Sequence, residues 1–172
     1  MRLIDMIVVH QTGTPTGTVE SIDRYHRSLG WAGIGYHYVI YRDGSVQMGR
    51  SNSQIGAHCQ GDNATRIGVC CVGKGDALPV GSGYLNQAMW DGLLRLVGQL
   101  MVAYRIPVSR VVGHQERPSG REQGKTCPGF DVAVIRNLLR GRAPSLSSPS
   151  GMRASRLQAE SDPAQSHAPG RQ

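Results

Sequence analysis

The sequence predicts an α/β fold in which a central mixed β-sheet of about five or six strands is flanked by helices. Three features support this prediction. Short apolar runs rich in β-branched residues recur before residue 114 and are typical of buried strands. Residues 86–104 have the apolar spacing of an amphipathic helix. An Asp-Gly pair between two apolar runs predicts a β-hairpin.

The first half of the chain alternates between strand and helix signals. Thr18 is a residue type that caps helix N-termini, and Gly30 is suited to end the same helix. Asp43-Gly44 supplies the hairpin turn. The predicted elements are a strand at 3–10, a helix from Thr18 to about Leu29, and hairpin strands at 36–41 and 46–48. The apolar face of the helix consists of Ile22, Tyr25, His26 and Leu29.

The second half contains the clearest helix. Asn86 is a suitable N-cap, and the apolar stripe that follows is interpreted as core packing. Residues 67–72 are almost continuously apolar, which predicts a strand in the centre of the sheet. The other predictions are a loop at 73–85, a strand at 109–113 and a short helix at 131–139. The stripe comprises Trp90, Leu93, Leu94, Val97, Leu100, Met101 and Tyr104.

The composition predicts one folded domain and a tail. A chain of 172 residues is long enough for one domain with a substantial core, which we assign to residues 1–140. Ser, Pro, Gly, Ala and Arg dominate residues 141–172, and their few apolar residues have no period. Such a segment buries too little surface to offset its ordering entropy. We therefore predict a disordered basic tail.

The net charge of +7 predicts attraction to polyanions such as nucleic acid, an anionic membrane face or an anionic wall polymer. No run of five or more basic residues and no basic segment interleaved with aromatics occurs, so specific nucleic-acid recognition has little support. No apolar stretch has the length of a membrane span, and no signal peptide is recognisable. The spacing of the four cysteines is not a disulfide framework, which predicts reduced thiols in a protein made in the cytoplasm.

Three separate residues are candidates for a metal site. His10 ends the first β-branched run, His114 follows the last predicted strand, and Cys127 lies on the loop beyond it. Imidazole nitrogen and thiolate sulfur are both good zinc ligands, and a catalytic zinc needs three protein ligands with one open position. If the two strands lie side by side, the histidines meet and the loop folds Cys127 over them.

Short segments along residues 1 to about 140 follow one another in an order shared with a known family. The chain resembles the zinc-dependent N-acetylmuramoyl-L-alanine amidases, the group shared by small phage endolysins and peptidoglycan recognition proteins. Because no second domain is recognisable, it looks most like a phage endolysin. The matching segments are Val8-Val9-His10, Gly35-Tyr36-His37-Tyr38, Arg42-Asp43-Gly44, Gly56-Ala57-His58, Ile67-Gly68-Val69, Val112-Gly113-His114 and Lys125-Thr126-Cys127-Pro128.

The resemblance implies roles for particular residues. It implies one Zn²⁺ per chain, with ligands at His10, His114 and Cys127. Tyr36 and Lys125 match the side chains that hold the reacting water and carbonyl. The matches to the substrate groove are His58 and Asn63.

The chemistry of these residue types agrees with the implied roles. Zinc with three protein ligands lowers the pKa of bound water to about 7. The ammonium of Lys125 is able to stabilise an oxyanion, and the phenol of Tyr36 is able to donate or accept a hydrogen bond. Which of the two handles the proton stays open. Glu116 is a candidate acceptor for an imidazole N–H.

The remaining histidines and cysteines of the predicted domain are interpreted as structural. His26 is expected to pack on the first helix. His37 alternates with Tyr36 along a strand, so both side chains cannot point into one cleft. Cys59, Cys70 and Cys71 are expected to be buried without a catalytic role.

The function implied by the resemblance is hydrolysis of the amide between N-acetylmuramic acid and L-alanine in peptidoglycan. We expect a monomer that is made in the host cytoplasm, acts on the cell wall, and has at most a weak contact with anionic surfaces. A non-catalytic peptidoglycan-binding module of the same fold is the alternative, and a nucleic-acid binder would rest on net charge alone.

Overall fold

The computed structural model describes residues 2–75 and 84–141, and it confirms the α/β class. The predicted tail, apart from Gly141, and part of the predicted loop at 73–85 lie outside these residues. The strands are β1 (Met6–Gln11), β2 (Tyr38–Ile40), β3 (Val46–Met48), β4 (Arg66–Cys71) and β5 (Val111–Gly113). The α-helices are α1 (Val19–Ser28), α2 (Gln87–Tyr104), α3 (Pro118–Glu122) and α4 (Ala133–Gly141). Single 3₁₀ turns occur at Val108–Arg110 and His114–Glu116.

The sheet is mixed, and its five strands lie in the order β3-β2-β4-β1-β5. β2, β4, β1 and β5 are parallel, whereas β3 pairs antiparallel with β2 through the predicted hairpin. β4 is the central strand, as its continuous apolar run predicted. β1 lies between β4 and β5, with His10 opposite Cys70 and Val9 opposite Gly113. The carboxyl ends of β1 and β5 are therefore adjacent.

The main core lies between one face of the sheet and the helices α2 and α4. Alternate residues of β1, among them Ile7 and Val9, point into this core. α2 supplies its apolar stripe and begins at the predicted N-cap, where the Asn86 side chain accepts a hydrogen bond of 2.9 Å from the Met89 N–H. Because side chains alternate along a strand, His10 points to the opposite face of the sheet.

The opposite face is covered by α1 and by loops. The Thr18 side chain caps α1 as predicted, and Ile22 packs against apolar residues around Val39. Ile22 and His26 are buried, but Tyr25 and Leu29, which the periodicity placed on the same face, are exposed. The helix therefore buries a narrower stripe than predicted.

The segment predicted as a loop after β5 contains regular structure. A 3₁₀ turn at His114–Glu116 leads directly into α3, which begins with Pro118. Proline favours the first helical position because its φ angle is already helical and its missing N–H is not needed there. The short helix packs against the backbone of His114. In the described ranges, no helix combines the length and the hydropathy that crossing a bilayer requires.

Candidate metal centre and active-site cleft

The structure brings the three predicted metal ligands together. One candidate ligand atom from each of His10, His114 and Cys127 lies within 4.8 Å of the other two. The sulfur of Cys127 is 3.7 Å from Nδ1 of His10, and the two imidazole centroids are 4.8 Å apart. The pairing of β1 with β5 explains the meeting of the histidines. His10 is the last residue but one of β1, and His114 directly follows the adjacent parallel strand β5.

The backbone holds the Cys127 loop against β1. The N–H of Gln11 donates a hydrogen bond of 3.2 Å to the Cys127 sulfur. The N–H of Gln115 donates to the Cys127 carbonyl at 2.9 Å, and the Tyr84 hydroxyl donates to the Pro128 carbonyl. The first two contacts tie the loop to the end of β1 and to the turn that follows β5.

Burial sets the protonation of the three candidate ligands. It lowers the pKa of His10 well below its usual value, and the neighbouring His58 and His114 lower it further. Burial, followed by the nearby Lys125 charge, also lowers the pKa of His114. Burial raises the pKa of Cys127 to about 11, although the Gln11 N–H and Lys125 oppose the shift. Both imidazoles are therefore neutral at pH 7, and the thiol releases a proton when it binds a cation.

The donor set fits zinc. Two neutral imidazoles and one thiol that ionises on binding supply the three nitrogen and sulfur ligands that a catalytic zinc needs beside an open fourth position. Within the described residues, Nε2 of His114 is buried and has no hydrogen-bond partner. A buried imidazole nitrogen without a partner is costly, and metal coordination at the ring would offset that cost.

The cluster lies in a cleft of about 670 Å³ that also contains the other predicted site residues. The ring of Tyr36 is 5.2 Å from that of His10, centroid to centroid. Burial raises the pKa of Tyr36 well above 10, so the phenol keeps its proton at neutral pH. Lys125 is exposed at the cleft wall, and its backbone N–H donates a hydrogen bond of 2.8 Å to the Gly120 carbonyl.

His58 and Asn63 line the cleft and lie on the same loop, before β4. The Asn63 side-chain oxygen accepts hydrogen bonds from the backbone N–H groups of His58 and Cys59, at 3.0 and 2.9 Å. His58 is only 7% exposed, and its Nδ1 lies 3.1 Å from Nε2 of His10. Burial lowers the pKa of His58 to about 3, so its imidazole is neutral.

The prediction that Glu116 accepts from an imidazole N–H is wrong. Its carboxylate accepts a hydrogen bond of 2.7 Å from the backbone N–H of Gly113 and is paired with Arg136 at 3.0 Å. The 3₁₀ turn that starts at His114 explains the difference, because a carboxylate at its third position folds back onto the free N–H at the start of the turn. Glu116 thereby joins β5 to α4.

The two histidines interpreted as structural are buried, and neither belongs to the three-ligand cluster. His26 accepts a hydrogen bond of 2.9 Å from the Gly35 N–H, and His37 accepts one of 3.0 Å from the Gly68 N–H. Tyr36 lines the cleft and His37 does not, although both residues lie just before β2 and not within it. All four cysteines lie in the described ranges and are free, as expected.

Two residues at the site were not identified from the sequence. Gln11 contributes the N–H that contacts Cys127, and a backbone donor leaves no signal in residue type. Trp31 lines the cleft, is 41% exposed and stacks against His26 with ring centroids 4.5 Å apart. Its position just after the helix-ending Gly30 is the signal that the sequence offers, because binding residues are disproportionately found on loops.

The fold and the site define a class: a single-domain α/β protein with a candidate three-ligand metal centre in an open cleft. Residues 1–130 match the family described as N-acetylmuramoyl-L-alanine amidase. The chain therefore belongs to the N-acetylmuramoyl-L-alanine amidase family, which confirms the resemblance.

Similar proteins include phage endolysins and solved amidases. The endolysin of Klebsiella phage KP32 is 36% identical over 114 residues, which cover 66% of this chain and 71% of the relative. The endolysin of Escherichia phage T7 is 34% identical over 131 residues, covering 74% and 82%. The structure of the N-acetylmuramoyl-L-alanine amidase LysC from Clostridium intestinale URNW matches with a TM-score of 0.69 at 29% identity, covering 80% of this chain and 85% of that one.

Proposed function

We propose that this protein is a zinc-dependent amidase of phage-endolysin type that cuts the bond between N-acetylmuramic acid and L-alanine in peptidoglycan. The observation that carries the proposal is the cluster of His10, His114 and Cys127 at the floor of an open cleft. Membership of the amidase family and similarity to phage endolysins support the substrate class.

His10, His114 and Cys127 would hold one Zn²⁺ per chain. When bound, zinc would act as a Lewis acid and make water nucleophilic near neutral pH. Tyr36, whose phenol remains protonated, donates a hydrogen bond to the reacting water or carbonyl rather than acting as a base. Lys125 at the cleft wall contributes positive charge where the amide oxygen becomes negative.

His58 and Asn63 are assigned to the substrate groove. Hydrogen bonds to the 58–59 backbone occupy the Asn63 oxygen, which leaves its NH₂ group to donate to a peptide carbonyl. Nε2 of His58 has no partner in the described part of the chain and lies at the same cleft. The folded unit proposed to act is residues 1–140, as a monomer that is made in the cytoplasm and acts at the cell wall.

Zinc content and product chemistry test the proposal together. The wild-type protein should contain one zinc per chain, and Cys127→Ser should lose nearly all of it. Digested peptidoglycan should release stem peptides with new L-alanine amino termini while the glycan strands stay whole. Chelation should stop the reaction, and added zinc should restore it.

The opposite results have clear meanings. Full zinc retention by Cys127→Ser rejects the ligand assignment. New reducing sugar ends without new amino groups mean that a glycosidic bond is cut. Binding to peptidoglycan with one zinc per chain and no cleavage identifies a non-catalytic wall-binding module instead.

A further inference from the structure

We propose that His58 is a positioning residue that fixes the ring orientation and the tautomer of His10. The proposal rests on the proposed function in one respect, because it takes His10 as a metal ligand. It goes further by assigning a role in metal affinity to a residue that otherwise only lines the substrate groove.

The two nitrogens of His10 face different partners. Nδ1 lies 3.7 Å from the Cys127 sulfur, and Nε2 lies 3.1 Å from Nδ1 of His58. Nδ1 faces another candidate ligand and is therefore the nitrogen that would bind the metal. Because an imidazole nitrogen binds a metal only without its proton, the proton of a ligating neutral His10 must be on Nε2. The Nε2–H of His10 then donates to His58, whose Nδ1 is the acceptor. Metal-bound histidines commonly have such an acceptor on the second nitrogen, usually a carboxylate, a carbonyl or water.

Within residues 2–75 and 84–141, the hydrogen bonds of His10 include no other acceptor for this N–H. His10 is 1% exposed, so bulk water does not reach its ring freely. Glu116, the nearest carboxylate in sequence to a ligand histidine, is already engaged by Arg136 and the Gly113 N–H. The described hydrogen bonds of the His10 side chain are those to His58 and Cys127.

The fold holds the His58 ring in a narrow slot between two glycines. A Cβ atom at Gly56 would lie 2.5 Å from Cδ2 of His58, and one at Gly68 would lie 2.6 Å from the same atom. Any other residue at either position would push the ring away, because real carbon contacts are not this short. Asn63 fixes the backbone of the same loop through the N–H groups of residues 58 and 59. The acceptor is therefore fixed in place before metal binds.

Two nearly isosteric variants separate hydrogen bonding from packing. The asparagine of His58→Asn is able to present its side-chain oxygen near the position of Nδ1. The leucine of His58→Leu has nearly the same shape as asparagine but no polar atom. The probe is Zn²⁺ alone, and its dissociation constant is measured by competition with a chromophoric chelator. Loss of an acceptor to a ligand histidine typically weakens metal binding by about 10- to 100-fold. We expect this loss for His58→Leu and a dissociation constant within about threefold of wild type for His58→Asn.

Thermal unfolding in chelator shows whether each variant folds without metal. His26→Asn is the matched control, because His26 is also a buried histidine that accepts a hydrogen bond. This variant should bind zinc with the same affinity as the wild-type protein. If His58→Leu does not fold, His58→Ala replaces it in the comparison with His58→Asn.

Equal zinc affinity of wild type and a folded His58→Leu would overturn the inference. Equal weakening in His58→Asn and His58→Leu would also overturn it, because the acceptor atom would then be irrelevant. Failure of the wild-type protein to bind zinc is a different result, since it rejects the proposed function itself.

Discussion

The buried His37 should make the metal-free protein lose stability in mild acid. His37 is fully buried, accepts a hydrogen bond from the Gly68 N–H and contacts the Gln54 carbonyl through Nε2 at 3.1 Å. Burial lowers its pKa from 6.5 to about 4, and the charges of Arg2 and Arg50 act in the same direction. The bond to Gln54 opposes the shift without cancelling it.

The sign and size of the effect follow from this pKa. Below pH 6.5 the unfolded chain takes up a proton at His37, but the folded protein does so only near pH 4. The unfolded state therefore binds more protons, so the free energy of unfolding falls as the pH falls. One pKa unit is worth about 1.36 kcal/mol, which gives a loss of about 2 kcal/mol for this residue between pH 7 and pH 5.

The variant His37→Asn isolates this contribution from those of the other histidines. Asparagine is able to accept from the Gly68 N–H but does not titrate, so the variant lacks the pH dependence due to residue 37. Urea unfolding at pH 7, 6 and 5, in chelator to exclude metal binding, gives the free energies. The stability difference between wild type and variant should change by about 2 kcal/mol over this range. Parallel pH profiles for the two proteins would refute the reasoning.

Three further predictions concern the site, the loop after β5 and the tail. Tyr36→Phe and Lys125→Ala should keep zinc and melting temperature but lose about 100- to 1,000-fold in turnover, and activity within about threefold of wild type rejects the role of that residue. Glu116→Ala should lower the free energy of unfolding by about 1–3 kcal/mol without loss of zinc, because it removes the partner of Arg136 and of the Gly113 N–H. Loss of zinc at unchanged stability would instead mean that Glu116 accepts a hydrogen bond from a ligand imidazole. Truncation after Arg142 should leave melting temperature and zinc content unchanged, and a marked drop in melting temperature would show that the tail is docked.

The sequence was sufficient where a local pattern decides the structure. The stripe from Trp90 to Tyr104 has the helical period over about four turns, and it packs into the core as predicted. Asp43-Gly44 was sufficient to predict the hairpin, because few residue types adopt the backbone conformation of a tight hairpin turn. Helix α1 shows the limit of the same reasoning. Its period selected four residues for one face, but only Ile22 and His26 have a surface to pack against.

The meeting of the three candidate metal ligands was predictable because it depends on strand pairing rather than on side-chain detail. His10 and His114 sit at the carboxyl ends of adjacent parallel strands, and the register places Val9 beside Gly113. The contact between His10 and His58 was not predictable in this way. It joins residues 48 apart through a loop whose path depends on two glycines and on Asn63.

Glu116 was misassigned because two acceptor roles competed within three residues. Glu116 lies two residues after His114 and three after Gly113, and residue types alone do not rank an imidazole against a backbone N–H as its partner. The 3₁₀ turn after Gly113 decides the outcome, since it directs the carboxylate onto the N–H at its start. Arg136, twenty residues away on α4, adds a partner that no local pattern indicates.

Strand β1 contributes residues both to the core and to the candidate metal site, and this has a consequence for folding. Ile7 and Val9 of β1 face the core formed with α2, so His10 must face the cleft, and a shift of one residue in register would exchange the two faces. The main core contains none of the three candidate ligands. Its apolar contacts do not depend on a metal, unlike those of small zinc domains that unfold without their ion. The metal-free protein should therefore fold, with the three candidate ligands already close together before any metal binds.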